Sequence, residues 1–418
     1  MTRRVVVTGM GVVTPLGNDV NTFWERLVRG ESGLRTTQNF DPERVTSKVA
    51  GEVVDFDPST VLDRKEIRRN DRYTQFALVA GREALDDAGL PERLEGEMAD
   101  RTGAIVGSGL GGSGTLIEQV TINITRGPDR LSPFFIPMAI ANLASGQTAI
   151  SFGARGPNYA TVSACATAGH ALGEAAETII RGDADRMLAG GSEAPVYEAL
   201  VGAFAAMRAL STRNDDPKGS SRPFDQGRDG FVIAEGAAVL VLEELETARH
   251  RGARILAELV GYGATADAVH ITLPAPGGEG GVRAAQRALA KAGMTPEDID
   301  HVSAHATSTP EGDPAELAGF RTIFGDHARK VSITAIKGAI GHTLGAAGGI
   351  GAVAAIKAMN EGCVPPTLNL VDPAPEVGDL DCTTGQSRTR DVRAALVNAF
   401  GFGGQNSAVI FRRWDEAQ

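Results

Sequence analysis

The hydrophobic residues of this chain alternate between two periods along most of its length. Short runs of apolar or β-branched residues, typical of buried strands, are followed by stretches in which apolar side chains recur every three or four positions, typical of helices. Clear examples are the strand expected at residues 102–107 and the helix with apolar positions from Leu172 to Ile180, which Gly182 is placed to end. This alternation predicts an α/β protein with largely parallel strand pairing.

The alternation restarts near the middle of the chain and predicts two related halves, residues 1–253 and 254–418. A chain of 418 residues is long for a single hydrophobic core, which favours this division. A short internal repeat supports it, because GHALGEA at 169–175 aligns with GHTLGAA at 341–347. That offset would make Cys165 the counterpart of Lys337. A coincidence between two Ala/Gly-rich helices is the alternative.

Composition and charge exclude several classes of function. A net charge of −11 argues against nucleic acid as the main partner. No run of about 18 uncharged apolar residues is present, so no membrane span is expected. Three cysteines do not make a disulfide framework, which favours a reducing cytoplasm.

Three residues indicate covalent chemistry. Cys165 lies where a strand expected to end at residues 161–164 turns into a helix N-terminus, whose dipole and free N–H groups favour a thiolate. A buried cysteine acting as a small hydrophobic residue is the alternative. His305 and His342 also follow expected strands, and such positions gather at one edge of a parallel sheet. A nucleophile with two polar hydrogen-bonding groups fits covalent catalysis, whereas the spacing fits no zinc site.

Two further patterns allow a structural or a functional interpretation. Lys65, Arg68, Arg69 and Arg72 recur at helical spacing, so one face of an expected helix is basic. This face is either solvated or a docking surface for an acidic partner. GSGLGG at 107–112 matches the dinucleotide fingerprint, but the acidic residue expected about 20 positions later is missing. We interpret it as a tight loop beside a site.

Motifs spaced along the whole chain resemble those of the β-ketoacyl-acyl-carrier-protein synthases, specifically the elongating type II class. They are SACATAG around Cys165, AHATSTPEGD at 304–313, KGAIGHTLGAAG at 337–348 and NAFGFGGQN at 398–406, together with RGPDRLSPFFIP, MRALSTRND and SRPFDQGRDGF. The resemblance implies a thiolase-like α/β fold, in which two related halves form a five-layer α-β-α-β-α sandwich. It also implies a homodimer without a cofactor or a metal.

The resemblance further implies a decarboxylative Claisen condensation that lengthens a fatty acyl chain by two carbons. Cys165 would take the acyl group from acyl-loaded acyl carrier protein, and malonyl-loaded carrier protein would supply a carbanion on losing CO₂. His305 and His342 would stabilise the enolate, with Lys337 as a further catalytic residue. The N–H groups of Cys165 and Phe402 would form the oxyanion hole, and Phe402 would gate the acyl pocket. The remaining implied roles are support by Glu316, Thr307 and Thr309, an acyl pocket with Leu110 and Phe135, and carrier-protein docking by Lys65, Arg68 and Arg69.

Three positions depart from the family pattern: Ala306 stands for the usual Gly, Gln405 for Thr, and Gly351 for a Glu that helps to organise the lysine. Without that Glu, Glu316 is the remaining candidate partner of Lys337. We then expect Gly351→Glu to be tolerated and to rescue a Glu316 variant in part.

Related classes of condensing enzyme would have different residues at the positions of the reactive groups. A thiolase would have a second Cys where this chain has Phe402, and a chain-initiating synthase would pair Cys with His and Asn. A non-catalytic chain-length partner of a polyketide synthase would lack Cys165. Two alternative functions remain: a type II polyketide ketosynthase that keeps all three residues, and a catalytically impaired partner subunit.

Overall fold

The computed structural model describes residues 3–415, in which strands and helices alternate as the sequence predicts. The elements of the first half are β1 (Val5–Val13), α1 (Val20–Val28), β2 (Arg35–Thr36), β3 (Val49–Ala50), α2 (Arg64–Arg69), α3 (Arg72–Asp87), α4 (Gly96–Asp100), β4 (Thr102–Gly107), α5 (Ser113–Arg126), α6 (Phe135–Ala139), α7 (Leu143–Phe152), α8 (Thr167–Arg181), β5 (Arg186–Glu193), α9 (Glu198–Ala206), β6 (Gly236–Glu244) and α10 (Leu245–His250).

The elements of the second half are β7 (Ala257–Ala266), α11 (Glu279–Ala292), β8 (His301–Ser303), α12 (Gly312–Phe324), β9 (Ser332–Thr334), α13 (Lys337–Ile340), α14 (Ala347–Glu361), β10 (Cys363–Val364), β11 (Asp381–Cys382), β12 (Arg388–Thr389), β13 (Ala394–Gly401) and β14 (Gln405–Arg413). The expected boundary at 253/254 lies between α10 and β7. Within the described residues, no helix is long and apolar enough to cross a membrane.

Ten strands form one continuous sheet in the order β11-β9-β8-β13-β14-β7-β1-β6-β5-β4. The two halves meet where β1 pairs with β7 over three residues. On one side of this junction, β1 pairs antiparallel with β6, β6 antiparallel with β5, and β5 parallel with β4. On the other side, β7, β14, β13 and β8 repeat this sequence of antiparallel, antiparallel and parallel pairs. The chain therefore folds one strand arrangement twice. The largely parallel pairing expected from the sequence is wrong, because five of the nine neighbouring strand pairs in this sheet of the described residues are antiparallel.

Helices cover both faces of this sheet. α8 and α14 pack against strands of both halves and against each other, whereas α3 packs on β1 and β6, and α11 packs on β7 and β14. The sheet therefore bends around α8 and α14, and the five layers run α3, strands of the first half, the two central helices, strands of the second half, and α11. Every residue of β1, β5 and β6 is buried, which explains their continuous apolar runs. The two central helices approach so closely that a Cβ on Gly348 would lie 2.9 Å from the backbone N of Gly169.

The counterpart positions of the two halves differ from those that the sequence repeat predicts. Each central helix follows a short 3₁₀ turn, Ala164–Ala166 in the first half and Leu344–Ala346 in the second. Ala164 and Leu344, which begin these turns, have similar positive φ angles of 48° and 44°. The second turn and its helix begin 180 positions after the first turn and its helix, which start at Ala164 and Thr167. The match between GHALGEA and GHTLGAA implies an offset of 172, which is therefore wrong. The structural counterpart of Cys165 is Gly345.

Candidate active site

One cavity of about 430 Å³ brings the predicted reactive residues together. Its lining includes Cys165, His305, His342 and Phe402, which come from four separate segments, and Leu110 from a fifth. All of these segments follow strands or precede the central helices. The cavity lies at the edge of the sheet where the sequence predicts the reactive groups.

Cys165 occupies the 3₁₀ turn Ala164–Ala166, directly before α8. The strand expected at residues 161–164 does not form. Those residues belong to a loop and the start of the turn, and the segment makes a parallel bridge to β4 only further back, between Asn158 and Ala104. The expected end of the helix is confirmed, because Gly182 adopts a left-handed conformation with φ 86° after Arg181. Cys165 is thus held on a tight turn at a helix N-terminus.

The Cys165 thiol is not the thiolate that its place at a helix N-terminus predicts. Burial raises its pKa to about 12, and the nearby Glu193 carboxylate adds to this increase. The positive charge of Lys337 and the backbone N–H groups of Phe402 and of Cys165 itself oppose it. The two N–H groups that favour the thiolate are those expected to form the oxyanion hole.

His305 follows β8, and the carboxylate of Glu316 fixes the backbone at this position. The N–H groups of His305 and Ala306 donate to the two carboxylate oxygens of Glu316, at 2.8 and 2.7 Å. The N–H of Phe400 donates to Nδ1 of the imidazole at 3.4 Å, so Nε2 carries the proton of the neutral ring. His305 therefore has an N–H donor on Nε2.

His342 packs edge-on to His305, with ring centroids 5.4 Å apart, and against Phe231 at 5.3 Å. The helix expected to run from residue 337 is interrupted. α13 ends at Ile340, and His342 lies in the turn before α14, where its backbone N–H donates to Val232 O. Burial lowers the pKa of both histidines well below 6.5, and the charge of Lys337 lowers each further. Both rings are therefore neutral near pH 7.

Lys337 and Glu316 interact through charge and not through a hydrogen bond. Burial lowers the pKa of Lys337 to about 8, against the influence of Glu316, and raises the pKa of Glu316 to about 7. The hydrogen bonds of Glu316 go to backbone N–H groups and, at 3.5 Å, to the amide of Asn398. Glu316 is therefore the main carboxylate acting on the charge of Lys337, and it also fixes the backbone at His305; no hydrogen bond joins the two side chains among the described residues.

The turn of the β13–β14 hairpin places Phe402 beside Cys165. Gly401 allows this approach, since a Cβ there would lie 2.5 Å from Ser163 O. The turn is tied to the loop after β7, because the amide of Asn406 donates to Asp267 Oδ1 at 2.6 Å and the N–H of Gly403 donates to Ile271 O at 2.7 Å. The hydroxyls of Thr307 and Thr309 lie 3.0 Å apart in the same cavity.

The two residues expected in the acyl pocket differ in position. Leu110 lines the cavity, whereas Phe135 lies on α6 and is absent from the lining formed by the described residues. Glu193, at the end of β5, lines the cavity as well and was not predicted. A carboxylate directly after the small-residue run 189–192 at the end of an expected strand was the signal that could have identified it.

The basic stripe is divided between two helices. Lys65, Arg68 and Arg69 are exposed on α2, and Arg69 stacks on Phe134 at 4.8 Å. Arg72 belongs to α3 and donates to the Glu235 carboxylate at 2.7 Å, so its half-buried side chain is held in an ion pair, unlike the three exposed residues of α2.

Two departures from the family pattern have structural consequences. Ala306 has φ 27°, a left-handed backbone that explains why Gly is usual there. Gly351 is buried in α14, and a Cβ on it would lie 3.1 Å from Ser303 Oγ and 3.4 Å from Val397 Cγ1. The expected tolerance of Gly351→Glu therefore requires the Ser303 and Val397 side chains to move by a few tenths of an ångström.

Comparisons with known proteins agree with these observations. The models of the β-ketoacyl synthase N-terminal and C-terminal domains match residues 2–248 and 256–371. The chain is 46% identical over 413 residues to 3-oxoacyl-[acyl-carrier-protein] synthase 2 of Staphylococcus aureus strain N315, with 99% of each chain covered. It is 47% identical over 412 residues to the Synechocystis protein of the same name, covering 99% of this chain and 98% of that relative.

Solved structures give the same result. A β-ketoacyl synthase from Burkholderia phymatum superposes with a TM-score of 0.92 at 35% identity, covering 99% of this chain and 100% of that one. A ketosynthase of a type II polyketide system, in complex with its acyl-carrier protein, superposes with a TM-score of 0.91 at 33% identity and the same coverage.

Proposed function

Because the chain belongs to the β-ketoacyl synthase family, we propose that it condenses malonyl-acyl carrier protein with an acyl group held on Cys165. Each cycle lengthens a fatty acyl chain by two carbons. The fold is thiolase-like, as the sequence predicts. The observation that carries the proposal is the meeting of Cys165 and two neutral histidines in one cavity, where the backbone N–H groups of Phe402 and Cys165 lower the pKa of the thiol.

Acyl transfer is the first step. The Cys165 sulfur attacks the thioester carbonyl of acyl-carrier protein, and the N–H groups of Cys165 and Phe402 stabilise the tetrahedral oxyanion. The carbon–sulfur bond to the carrier then breaks, and the carrier thiol leaves with the proton that Cys165 loses. The positive charge of Lys337 stabilises negative charge on the Cys165 sulfur during this exchange.

Decarboxylation and condensation follow on malonyl-carrier protein. The bond to the carboxylate breaks, CO₂ leaves, and its electron pair becomes an enolate whose oxygen accepts hydrogen bonds from His305 Nε2 and from His342. Neutral imidazoles suit this task because their N–H groups can donate hydrogen bonds to the enolate oxygen without protonating it. The enolate carbon then attacks the acyl thioester on Cys165, which releases the β-ketoacyl carrier protein and the cysteine thiolate.

The carrier protein and a second copy of the chain are the proposed partners. Exposed Lys65, Arg68 and Arg69 on α2 give an acidic carrier protein a local positive surface on an otherwise acidic enzyme.

The proposed dimer interface is the α5–α7 apolar surface, which consists of the exposed residues Leu116, Val120, Ile124, Ile136, Ile140 and Ile150. Several exposed large apolar side chains on α5 and α6, which pack together, favour a protein interface. The three free cysteines suit the reducing cytoplasm.

A Cys165→Ala variant tests the proposal. We expect condensation to be lost while slow decarboxylation of malonyl-carrier protein remains, because His305 and His342 are unchanged. Mass spectrometry of the wild type should show the acyl adduct on Cys165, and Cys363→Ala serves as the matched control with normal activity. An adduct that persists in Cys165→Ala would contradict the assignment.

Substrate choice separates fatty acid elongation from polyketide synthesis. We expect the wild type to elongate long acyl chains once per malonyl unit supplied and to release each product. Successive additions to an acetyl primer without release would favour the polyketide ketosynthase. Neither acylation nor decarboxylation under any condition would favour the impaired partner subunit.

A further inference from the structure

Glu193 is a fully buried carboxylate on the wall of the cavity. Its Oε1 accepts hydrogen bonds from Ser108 Oγ at 2.6 Å and Leu110 N at 3.0 Å. Its Oε2 accepts from Gly109 N at 2.7 Å and Gly345 N at 3.0 Å. Four donors from two separate loops therefore converge on one carboxylate, so both oxygens are fully satisfied.

The repeated fold allows the surroundings of Glu193 to be compared with those of Cys165 in the other half. Gly345 occupies in the second half the position that Cys165 occupies in the first, on a 3₁₀ turn that begins with a residue of positive φ. In the first half, the N–H of this position lowers the pKa of the Cys165 thiol and is the group proposed for the oxyanion hole. In the second half, the same N–H donates to Glu193. The Glu193 carboxylate thus occupies the counterpart of half of the oxyanion hole.

We propose that Glu193 is a positioning residue of the condensing site, which fixes the Leu110 loop against the turn before α14 and so sets the acyl pocket. The inference rests on the proposed function and extends it to the choice of acyl chain. Leu110 is the only one of the two predicted acyl-pocket residues that lines the cavity of the described chain, and its backbone N–H depends on Glu193. The position of the Leu110 side chain therefore depends on this carboxylate.

A Glu193→Gln variant disturbs one of the two oxygens. If the amide oxygen stays at Oε2, Gly109 and Gly345 keep their acceptor, and the new NH₂ faces Ser108 and Leu110. The Ser108 hydroxyl can accept from it, whereas the Leu110 N–H cannot. The opposite orientation would leave two N–H groups without an acceptor, so we expect the first. The variant should then loosen Leu110 while the turn that follows His342 keeps its hydrogen bond.

The experiment measures acylation of Cys165 by acyl-carrier proteins of increasing chain length in the wild type and in Glu193→Gln. We expect the ratio of the dodecanoyl rate to the butyryl rate to change at least fivefold in the variant. Removal of the Glu193 charge should also shift alkylation of Cys165 to lower pH, because this charge raises the pKa of the thiol. The chain-length ratio is the readout that separates positioning of the Leu110 loop from a general loss of stability, which would slow all chain lengths equally. Glu52→Gln is the matched control: Glu52 is a buried carboxylate that accepts from Thr37 Oγ1, Gln38 N and Asn39 N outside the cavity lining, and we expect an unchanged ratio.

Equal changes at all chain lengths, or an unchanged ratio, would overturn the proposal while leaving the condensing activity intact. A wild type without condensing activity would instead overturn the proposed function. If Glu193→Gln does not fold, Ser108→Ala removes one donor to the carboxylate and the acceptor of the Gly111 N–H. That variant should change the ratio at least twofold, and the wild-type ratio in it would overturn the proposal.

Discussion

At Cys165, burial raises the pKa of the thiol by more than the helix N-terminus lowers it. With a pKa of about 12, the resting thiol should react with iodoacetamide about tenfold faster for each pH unit from 6 to 7.5. Lys337, whose pKa is about 8, loses its charge above that pH, so the slope should decrease there. Lys337→Met should therefore slow alkylation at pH 7 and match the wild type near pH 10.

Peptide mapping checks this prediction, because it follows Cys363 in the same sample as an internal reference. The Lys337 substitution should leave Cys363 unaffected. A Cys165 rate that is independent of pH between 6 and 9 would contradict the prediction and restore the thiolate expected from the sequence.

Glu316 gives a second prediction at this scale. In Glu316→Gln, one backbone N–H of His305 or Ala306 loses its acceptor, so the His305 ring loses its fixed position. We expect decarboxylation and condensation to fall together by about tenfold, while acylation of Cys165 falls less than threefold. Rates of CO₂ release and of acyl-adduct formation separate these effects. An equal loss of both would mean that Glu316 supports the whole cavity.

The meeting of Cys165, His305 and His342 in one cavity was predictable from the sequence, but the pKa values of these residues were not. Cys165, His305 and His342 follow or precede regular elements with clear patterns, and the cavity contains all three. The pKa of Cys165 depends on burial by segments more than 200 positions away. The role of Glu316 also depends on backbone N–H groups, which carry no signal in the sequence. For this reason the sequence indicates the charge interaction between Lys337 and Glu316 but not the hydrogen bonds of Glu316 to the backbone at His305.

At the scale of single elements, α2 carries the exposed charges expected to bind the carrier protein. We expect Lys65→Glu with Arg68→Glu to lower the association rate of acyl-carrier protein, more at low salt than at high salt, because steering depends on screened charge. Acyl-pantetheine, which lacks the protein surface, should react at nearly the wild-type rate. The matched control is Arg329→Glu with Lys330→Glu, which makes the same change of charge at exposed positions of the second half. Equal losses for both substrates would indicate a structural role for α2.

The boundary between α2 and α3 explains why Arg72 does not share an exposed face with Lys65, Arg68 and Arg69. The side chain of Asp71 accepts from Tyr73 N and begins α3, so Arg72 turns towards Glu235. Asn70 and Asp71 are good N-cap residues, and this signal could have separated the two helices. The break between Ile340 and α14 was harder to predict, since Gly341 fits either a helix of small residues or the turn that it adopts with φ 74°.

At the scale of the molecule, the duplication was predictable but its register was not. Repeated strand and helix patterns indicate two halves, and the repeated strand pairing agrees with them. The match between GHALGEA and GHTLGAA is misleading because His170 lies inside α8, where Nδ1 bonds the Ser163 hydroxyl, whereas His342 precedes α14. Small residues recur in both central helices because the helices pack closely, so a short match between them does not fix the alignment.

The same scale gives the last prediction, on the proposed dimer. Leu116, Val120 and Ile124 are spaced by four on α5, so they lie on one exposed face. We expect Val120→Asp with Ile124→Asp to convert the dimer to a monomer, because burying two carboxylates in an apolar interface is unfavourable. Sedimentation velocity at micromolar concentration measures this change.

Val371→Asp is the matched control, because Val371 is a highly exposed apolar side chain outside the α5–α7 apolar surface. This variant should keep the mass of the wild type. A wild type that sediments as a monomer, or an α5 double variant that stays dimeric, would contradict the proposed interface. If the double variant is monomeric and also loses acylation of Cys165, the dimer supports the cavity, which is consistent with the continuity between the Leu110 loop and α5.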